Sequence, residues 1–285
     1  MSKSDSVWFD GCIRAGDEPP VSLKTHSLHY GYGVIEGIRA YAVDGSTKLF
    51  AAEEHYDRLR YSAELIGLPP FPYDSSALVE ATFELLDHLG LRDAYVRPIV
   101  FLGEGLGNLR DERPLHVAIM AWNWSPKTES QRSMRLAVSP YRRPDPQSFP
   151  SAAKSTGAYL LMKTATMWAT DRGFDDAIIL DHEGYISECT AQNIFGVKGG
   201  EIFTPSVSRC LAGITRRTVM NLAASMDLTV REAFITRDEL LSMDEVFITS
   251  TASEVVPISH IDEVEFFERS MASRLKKAYR ERVTA

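Results

Sequence analysis

A stretch rich in proline divides the chain near its middle and sets the first limit on its fold. Its prolines are Pro126, Pro140, Pro144, Pro146 and Pro150. Because proline lacks a backbone N–H, it is confined to loops, turns and sheet edges, and a long helix does not pass through such a region. We therefore predict two domains, residues 1–121 and 134–285, joined by a linker at 122–133.

Both predicted domains mix helices with strands. Apolar residues at helical spacing predict helices at 52–66, 75–89, 158–171 and 214–226. Another helix is expected after the capping box Thr236-x-x-Glu239. Turn dipeptides predict hairpins at Asp10-Gly11, Asp44-Gly45 and Gly199-Gly200. Apolar runs predict buried strands at 94–102, 116–122, 176–180, 245–249 and 255–258. The expected fold class is mixed α/β, with a cleft between two domains.

Net charge, apolar runs and cysteine spacing limit the kinds of partner and location expected for this protein. The formal net charge of −8 argues against nucleic acid or an anionic membrane as the main partner, because phosphate backbones are bound by clustered Lys and Arg. No apolar run has the length of a signal peptide or a membrane span, so we expect a cytoplasmic protein. The three cysteines lack metal-ligand spacing, and no metal is expected.

Lys154 is a candidate nucleophile. Its neighbours in the chain are small and uncharged, which leaves room for a ring and offers no local ion-pair partner. A lysine amine attacks carbonyl carbon well when burial or nearby cations activate it. Glu188 adds a carboxylate at the end of a later strand-like run, and the two together suit an aldehyde cofactor that forms an imine. The alternative is a solvated lysine in a loop before a helix.

Two turns and one arginine are candidates for binding an anion. Gly213, Ile214 and Thr215 stand at a predicted helix start, where backbone N–H groups and the positive end of the helix dipole attract anions. A turn rich in hydroxyl groups, 249–253, follows a predicted strand and can close the same site. Arg58 lies on a predicted helix whose register can point it inward. Simple helix capping and a solvated arginine are the alternatives.

The chain resembles the class IV aminotransferases, which are fold-type IV pyridoxal-phosphate enzymes with the D-amino acid aminotransferase-like fold. Within them it is most similar to the branched-chain amino acid aminotransferases. The resemblance covers nearly the whole length and is carried by ordered blocks: His29-Tyr30-Gly31-x-x-Val34-x-Glu36-Gly37-Ile38-Arg39, His55-x-x-Arg58-Leu59, Ala94-Tyr95-Val96-Arg97-Pro98, Ala153-Lys154, Gly184-Tyr185-Ile186-Ser187-Glu188, Asn193-Ile194-Phe195, Gly213-Ile214-Thr215-Arg216 and Asp244-Glu245-Val246-Phe247.

The resemblance implies a pyridoxal 5′-phosphate cofactor bound to Lys154 as a Schiff base. It also implies that Lys154 moves a proton between the substrate Cα and the cofactor C4′. Glu188 is implied to pair with the pyridine nitrogen and keep it protonated, and Tyr159 to bind the phenolic oxygen of the ring. The phosphate is implied to bind Arg58, the backbone N–H groups of Ile214 and Thr215, and the side chain of Thr251.

The substrate residues also follow from the resemblance. Tyr95 and the turn at Thr251 and Ala252 are implied to receive the α-carboxylate. Arg97 with Tyr30 is implied to meet the distal carboxylate of glutamate or 2-oxoglutarate. An arginine at the rim of an apolar pocket allows one pocket to accept both an aliphatic and an acidic side chain.

The apolar lining of that pocket is expected from Ile35, Trp122 and Trp124, although packing between domains equally explains the tryptophans. Ile35 stands where branched-chain enzymes commonly have Phe, and the segment after Trp122 lacks their usual tyrosine. Ala158 and Ala212 replace a common Asn and Pro without touching the cofactor chemistry. The departures at Ile35 and after Trp122 affect the substrate pocket. They leave open which substrate side chain is preferred, and aromatic or bulky amines are among the candidates.

The expected activity is transamination of branched-chain L-amino acids, with 2-oxoglutarate as amino acceptor. The alternatives are a D-amino acid or (R)-amine transaminase, aminodeoxychorismate lyase on the same fold, and a catalytically silent homologue. Family resemblance further implies a homodimer or a larger assembly of dimers, with loop 103–109 a candidate for the part contributed to the neighbouring subunit.

Overall fold

The computed structural model describes residues 5–18, 21–109, 112–124 and 133–285. These residues form two compact units. The first contains the described residues before 125 together with Ala153–Ala158, and the second contains residues 133–152 together with Tyr159–Val283. Most of the predicted linker, 122–133, lies outside the described residues. No helix within the described ranges is long and apolar enough to cross a membrane.

The first unit is built on one antiparallel sheet. Its strands are β1 (Ser6–Phe9), β2 (Cys12–Ala15), β3 (Gly33–Ile35), β4 (Ile38–Val43), β5 (Ser46–Leu49), β6 (Ala94–Leu102) and β7 (Leu115–Asn123). The strand order is β2-β1-β7-β6-β4-β5, and β3 pairs with β6. Asp10-Gly11 and Asp44-Gly45 join β1 to β2 and β4 to β5 with positive φ at all four residues, so both predicted hairpins are confirmed.

Three helices complete the first unit: α1 (His26–Tyr30), α2 (Ala52–Leu65) and α3 (Ser75–Leu89). The side chain of Asp74 caps α3 by accepting the backbone N–H of Ala77 at 2.8 Å, and Gly90 ends the helix in the left-handed conformation. The buried faces of α2 and α3 contribute to a core that includes Leu59, Leu78, Leu85, Val96, Val100 and Ile119. Each such side chain contributes about 1.5–3 kcal/mol on burial.

The second unit is built on a mixed sheet. Its strands are β8 (Met134–Arg142), β9 (Asp176–Leu180), β10 (Ile186–Cys189), β11 (Asn193–Lys198), β12 (Glu201–Pro205), β13 (Val230–Ala233), β14 (Glu245–Ser250), β15 (Glu254–Ile261) and β16 (Val264–Glu265). The order is β10-β9-β8-β15-β14-β11-β12-β13, and β16 pairs with β15. The hairpin between β11 and β12 turns at Gly199-Gly200, as predicted, with φ of 57° and 83°.

The helices of the second unit are α4 (Tyr159–Thr170), α5 (Ile214–Ser225), α6 (Arg237–Leu241) and α7 (Ser270–Thr284). Both halves of the predicted capping box are present at α6: the Thr236 side chain accepts from the Glu239 backbone, and the Glu239 side chain accepts from the Thr236 backbone. The aromatic rings of Phe195 and Phe247 stack at 4.9 Å between centroids in the buried part of the sheet.

The segment that carries Lys154 is grouped with the first unit, whereas the sequence placed this lysine in the C-terminal domain. Its backbone explains the grouping. Thr156 N–H donates to the carbonyl of Gly33 at 2.8 Å, and Ser155 forms a bridge with Val34. The segment therefore extends the edge of β3 instead of belonging to α4, which begins at Tyr159.

Candidate active site

Lys154 is held by its backbone on both sides. Its N–H donates to Oγ of Ser62 on α2 at 3.1 Å, and its carbonyl accepts the N–H of Ile35 at 3.0 Å. Ser62 and Ile35 are both buried. These two hydrogen bonds fix the backbone from which the flexible lysine side chain extends.

Next to this segment, Glu36 joins His55 and Arg58 in a buried charged cluster. Arg58 donates from Nε and Nη2 to the two carboxylate oxygens of Glu36, at 2.5 and 2.9 Å. The Nδ1 of His55 lies 2.8 Å from Oε2 of Glu36 and donates to it, because a carboxylate only accepts. The Arg58 side chain is 13% exposed, and the Glu36 side chain is fully buried. The paired contact fixes the orientation of the guanidinium.

Burial and the contacts among the three side chains determine which members of this cluster are charged. Burial alone would raise the pKa of Glu36, but the attraction and hydrogen bonds of Arg58 and His55 outweigh it and hold that pKa well below its usual range. Burial lowers the pKa of His55, and the positive charges of Arg58 and Lys154 lower it further against the opposing effect of Glu36. The cluster is therefore a Glu36–Arg58 ion pair with a neutral imidazole beside it.

We expect Glu36→Gln to destabilise the protein by about 3 kcal/mol or more, because the substitution leaves a buried guanidinium without its carboxylate. Denaturant unfolding followed by tryptophan fluorescence measures the change. Glu53→Gln, on the exposed side of α2, is the matched control and should unfold like the parent. Equal stability of all three proteins would contradict the role given to Glu36.

Strand β6 brings several predicted substrate residues together. Tyr95 and Arg97 are two residues apart and so share a face, and the Arg97 guanidinium lies 5.6 Å from the Tyr95 ring centroid. The Tyr95 ring also contacts the rings of Trp122 and Trp124, at 5.2 and 5.3 Å. The Nε of Arg97 is buried and has no hydrogen-bond partner among the described residues. This face thus combines aromatic surface with an unsatisfied cationic donor.

The other predicted substrate residues of the first unit differ in their surroundings. Gly37 follows the Glu36 of the cluster, and a Cβ at that position would collide with the Tyr95 hydroxyl, so glycine lets the hydroxyl reach the backbone there. Ile35 is buried at the end of β3. Tyr30 is 48% exposed, and its ring lies 4.6 Å from that of His26. Within the described ranges the aromatic partners of Tyr95 are the two tryptophans, and Tyr30 is not among them.

In the second unit, Glu188 is buried on β10 and both of its oxygens are engaged. Oε1 pairs with Nη1 of Arg143, and Oε2 accepts the backbone N–H of Leu211 at 3.1 Å. The Arg143 and Glu188 side chains are 9% and 8% exposed. The carboxylate is therefore fixed in place inside the protein by one charged and one backbone donor.

The N-terminus of α5 has the character of an anion site. Gly213 is the N-cap, and in the described part of the chain no side chain caps this end and no acidic residue stands in its first turn. Ile214 and Thr215 are buried there. A Cβ on Gly213 would collide with Oδ1 of Asn193, so the turn needs glycine. Backbone N–H groups at a buried helix start suit a phosphate.

The turn after β14 follows the strand residue that pairs with the same asparagine. Asn193 pairs with Thr249 across β11 and β14, and its side chain donates to the Leu211 carbonyl at 2.9 Å. Thr251 and Ala252 are half-buried two and three residues later. The Oγ of Thr249 is buried without a partner among the described residues. Asn193 therefore contacts the segment that leads into α5 and pairs with the strand that leads to Thr251.

Sequence reasoning did not assign Glu36, His55 or Arg143 to the site. Glu36 had a signal, since a single acid inside the apolar run Val34–Ile38 indicates a buried charge with a partner. Arg143 had none, because nothing in its proline-rich surroundings distinguishes it from Arg142. In the parts of the chain that are described, no group of three or more His, Cys, Asp or Glu is placed to hold a metal ion.

Comparison with known sequences identifies relatives over most of the chain. The family model described as amino-transferase class IV matches residues 33–261. The branched-chain-amino-acid aminotransferase of Pseudomonas aeruginosa is 39% identical over 269 residues, which are 92% of this chain and 87% of that protein.

Solved structures give the same result. The branched-chain aminotransferase from Thermoproteus uzoniensis with norvaline superposes with a TM-score of 0.94 at 35% identity, over 98% of this chain and 94% of that one. The T.th. branched-chain amino acid aminotransferase complexed with N-(5′-phosphopyridoxyl)-L-glutamate gives 0.92 at 35% identity, over 100% and 95%.

Proposed function

The chain belongs to the amino-transferase class IV family, and from this membership we propose that it transfers the amino group of branched-chain L-amino acids to 2-oxoglutarate. The family and the mixed α/β fold of type IV, both predicted from the sequence, are confirmed. The observation that carries the substrate proposal is the face of β6, where Arg97 stands beside the aromatic surface of Tyr95 and Trp122.

We propose pyridoxal 5′-phosphate as the cofactor, in keeping with the dependence of class IV aminotransferases on it. The cofactor supplies an aldehyde that condenses with amines and a ring that withdraws electrons from the substrate Cα–H bond. The chemistry of the donor set fits this molecule, because it offers an amine, a buried carboxylate and a helix start suited to phosphate.

Lys154 has the role of covalent anchor and proton carrier. Its backbone is fixed by Ser62 and Ile35, and its Nζ would hold the aldehyde carbon of the cofactor. With the amine free, Lys154 would carry a proton between the substrate Cα and C4′ of the cofactor. A lysine attached at one point and mobile at the other can reach both carbon atoms.

Glu188 has the role of keeping the ring nitrogen charged. Its carboxylate is buried and accepts from Arg143 and Leu211, and it can accept a further N–H from the ring. Tyr159, the first residue of α4, is proposed to bind the phenolic oxygen. The phosphate is proposed to bind Arg58, the N–H groups of Ile214 and Thr215, and Thr251.

The substrate carboxylates have separate proposed partners. The α-carboxylate would bind Tyr95 and the turn at Thr251 and Ala252. The distal carboxylate of glutamate would bind Arg97, whose Nε has a buried and unsatisfied N–H, with Tyr30 as its second partner. An aliphatic side chain would instead contact Ile35 and Trp122.

A substrate panel tests the proposed function. L-leucine, L-isoleucine and L-valine should each donate an amino group to 2-oxoglutarate, with glutamate as the measured product. D-alanine and (R)-1-phenylethylamine should be poor donors. Faster turnover of the D-amino acid or the (R)-amine, or pyruvate release without an acceptor from an aminodeoxychorismate substrate, would replace the proposal with one of the alternatives on this fold.

Arg97→Ala is expected to raise KM for 2-oxoglutarate by about 10- to 100-fold, since a hydrogen bond to a charged group contributes about 1.5–3 kcal/mol. KM for 4-methyl-2-oxopentanoate, which has no distal carboxylate, should change little. Both are measured with L-valine as donor. Arg92→Ala, an exposed arginine just before β6, is the control. An equal loss with both acceptors would contradict the assignment.

We also propose a homodimer. Large apolar side chains are exposed in the first unit, with Leu23 at 85%, Leu28 at 63% and, in the loop 103–109, Leu106 at 47% and Leu109 at 70%. Such exposure on one unit is typical of a surface that another subunit covers.

A further inference from the structure

Arg143 directly follows β8, and its side chain contacts two parts of the second unit. Its Nη1 pairs with Oε1 of Glu188, and its Nη2 donates to the carbonyl of Ser151. Its backbone N–H donates to the Leu180 carbonyl at 2.8 Å, which ties it to β9. Ser151 stands three residues before Lys154 in the chain. One buried guanidinium thus contacts the carboxylate at one end of the proposed cofactor site and the backbone leading to the lysine.

The charge of Arg143 is preserved despite its burial. Burial lowers the pKa of Arg143, but an arginine starts from a value so high that it stays charged at neutral pH. Removing such a cation from water is costly unless its partner is an ionised group. Within the described ranges Glu188 is the carboxylate paired with Arg143. The pair is therefore stable only while Glu188 is ionised.

A carboxylate that contacts a pyridine nitrogen shares one proton with it. The proton resides either on the ring nitrogen, giving a charged pair, or on the carboxylate, giving a neutral pair. In a buried site the neutral pair is favoured, because it avoids the free-energy cost of burying two charges. A cation in direct contact with the carboxylate reverses this preference, because it stabilises the ionised acid.

From these contacts we infer that Arg143 is a positioning residue that holds Glu188 ionised and thereby places the shared proton on the ring nitrogen of the cofactor. The inference rests on the proposed function, since it needs a pyridine ring at Glu188. Arg143 itself does not touch the reacting atoms. Its contribution is to keep the ring a strong acceptor of electrons while Glu188 supplies the contact.

The experiment observes the ring nitrogen directly, by the ¹⁵N chemical shift of pyridoxal 5′-phosphate labelled at that atom and bound to the protein. The parent should give the shift of a protonated nitrogen. Arg143→Met should move it towards the value of a neutral pyridine, and kcat should fall by about tenfold or more while KM for L-leucine stays the same. Arg143→Lys, which keeps a charge, should restore part of the parental shift.

Controls separate this role from a structural one. Arg142→Met removes the adjacent, exposed arginine and should leave the nitrogen protonated. Arg143→Gln keeps a hydrogen-bond donor without charge, and it serves in place of the methionine variant if that protein does not fold. In a Glu188→Gln background, Arg143→Met should cause no further change in the ¹⁵N shift.

A parental shift in either neutral variant at position 143 would overturn the inference, and so would an added effect of Arg143→Met in the Glu188→Gln background. The proposed function fails differently. A parent protein that binds the labelled cofactor but forms no glutamate from L-leucine and 2-oxoglutarate would contradict the proposed transamination, whereas the ¹⁵N comparison between variants would still test Arg143.

Discussion

Replacing Lys154 with alanine is expected to reduce kcat for L-leucine and 2-oxoglutarate by about a thousandfold or more. The side chain is proposed both to bind the cofactor and to move the proton between two carbon atoms. Loss of a positioned acid or base alone costs about 10²- to 10⁴-fold. The hydrogen bonds of Ser62 and Ile35 are to the backbone of residue 154, so alanine can keep the backbone in place while the amine is lost. Glutamate formation at saturating cofactor measures the effect.

Lys163→Ala is the matched control for this experiment. Lys163 is an exposed residue of α4, so its replacement should leave kcat unchanged. A Lys154→Ala protein that kept a tenth of the parental kcat would show that Lys154 is not the proton carrier. Circular dichroism of both variants excludes a general loss of fold as the cause.

Glu188→Gln is expected to reduce kcat by about a hundredfold or more. An amide cannot balance the charge of a protonated ring nitrogen, so the ring becomes a weaker electron acceptor, and loss of one preorganised electrostatic contact of this kind costs about 10²–10³ in rate. Substrate carboxylates do not contact Glu188 in the proposal, so KM for L-leucine should change far less than kcat. Steady-state kinetics at saturating cofactor give both constants.

Glu183→Gln is the control, because Glu183 is five residues earlier and its side chain is 52% exposed in an ion pair with Arg209. We expect this variant to retain the parental kcat. If Glu188→Gln also retained it, the carboxylate would have no part in activating the ring, and the role inferred for Arg143 would be lost with it.

Local sequence signals were sufficient for most of the elements that frame the site. The helices α2 and α3 follow apolar spacing, α6 follows its capping box, and the hairpins follow their turn dipeptides. The helix α1 was not predicted, because it has only five residues and the side chain of Thr25 does not cap it. Its end is set by the left-handed Gly31, a signal that also occurs in simple turns.

The placement of the Lys154 segment could not be read from the sequence. The residues on either side of Ala153–Ala158 belong to the second unit, and long-range hydrogen bonds to Gly31, Gly33, Ile35 and Ser62 connect this segment to the first. The same limit applies to Arg143, whose importance depends on Glu188 far along the chain. Local patterns specify helices and turns, whereas pairing between distant residues depends on the tertiary structure.

Covalent attachment of the cofactor at Lys154 is the most direct test of the central claim. The purified protein is incubated with pyridoxal 5′-phosphate, reduced with borohydride, digested and analysed by mass spectrometry. We predict that the peptide containing Lys154 gains the mass of the reduced cofactor, and that the Lys154→Ala protein shows no such addition at any specific site. An unmodified Lys154 peptide, or specific attachment to another lysine, would contradict the account.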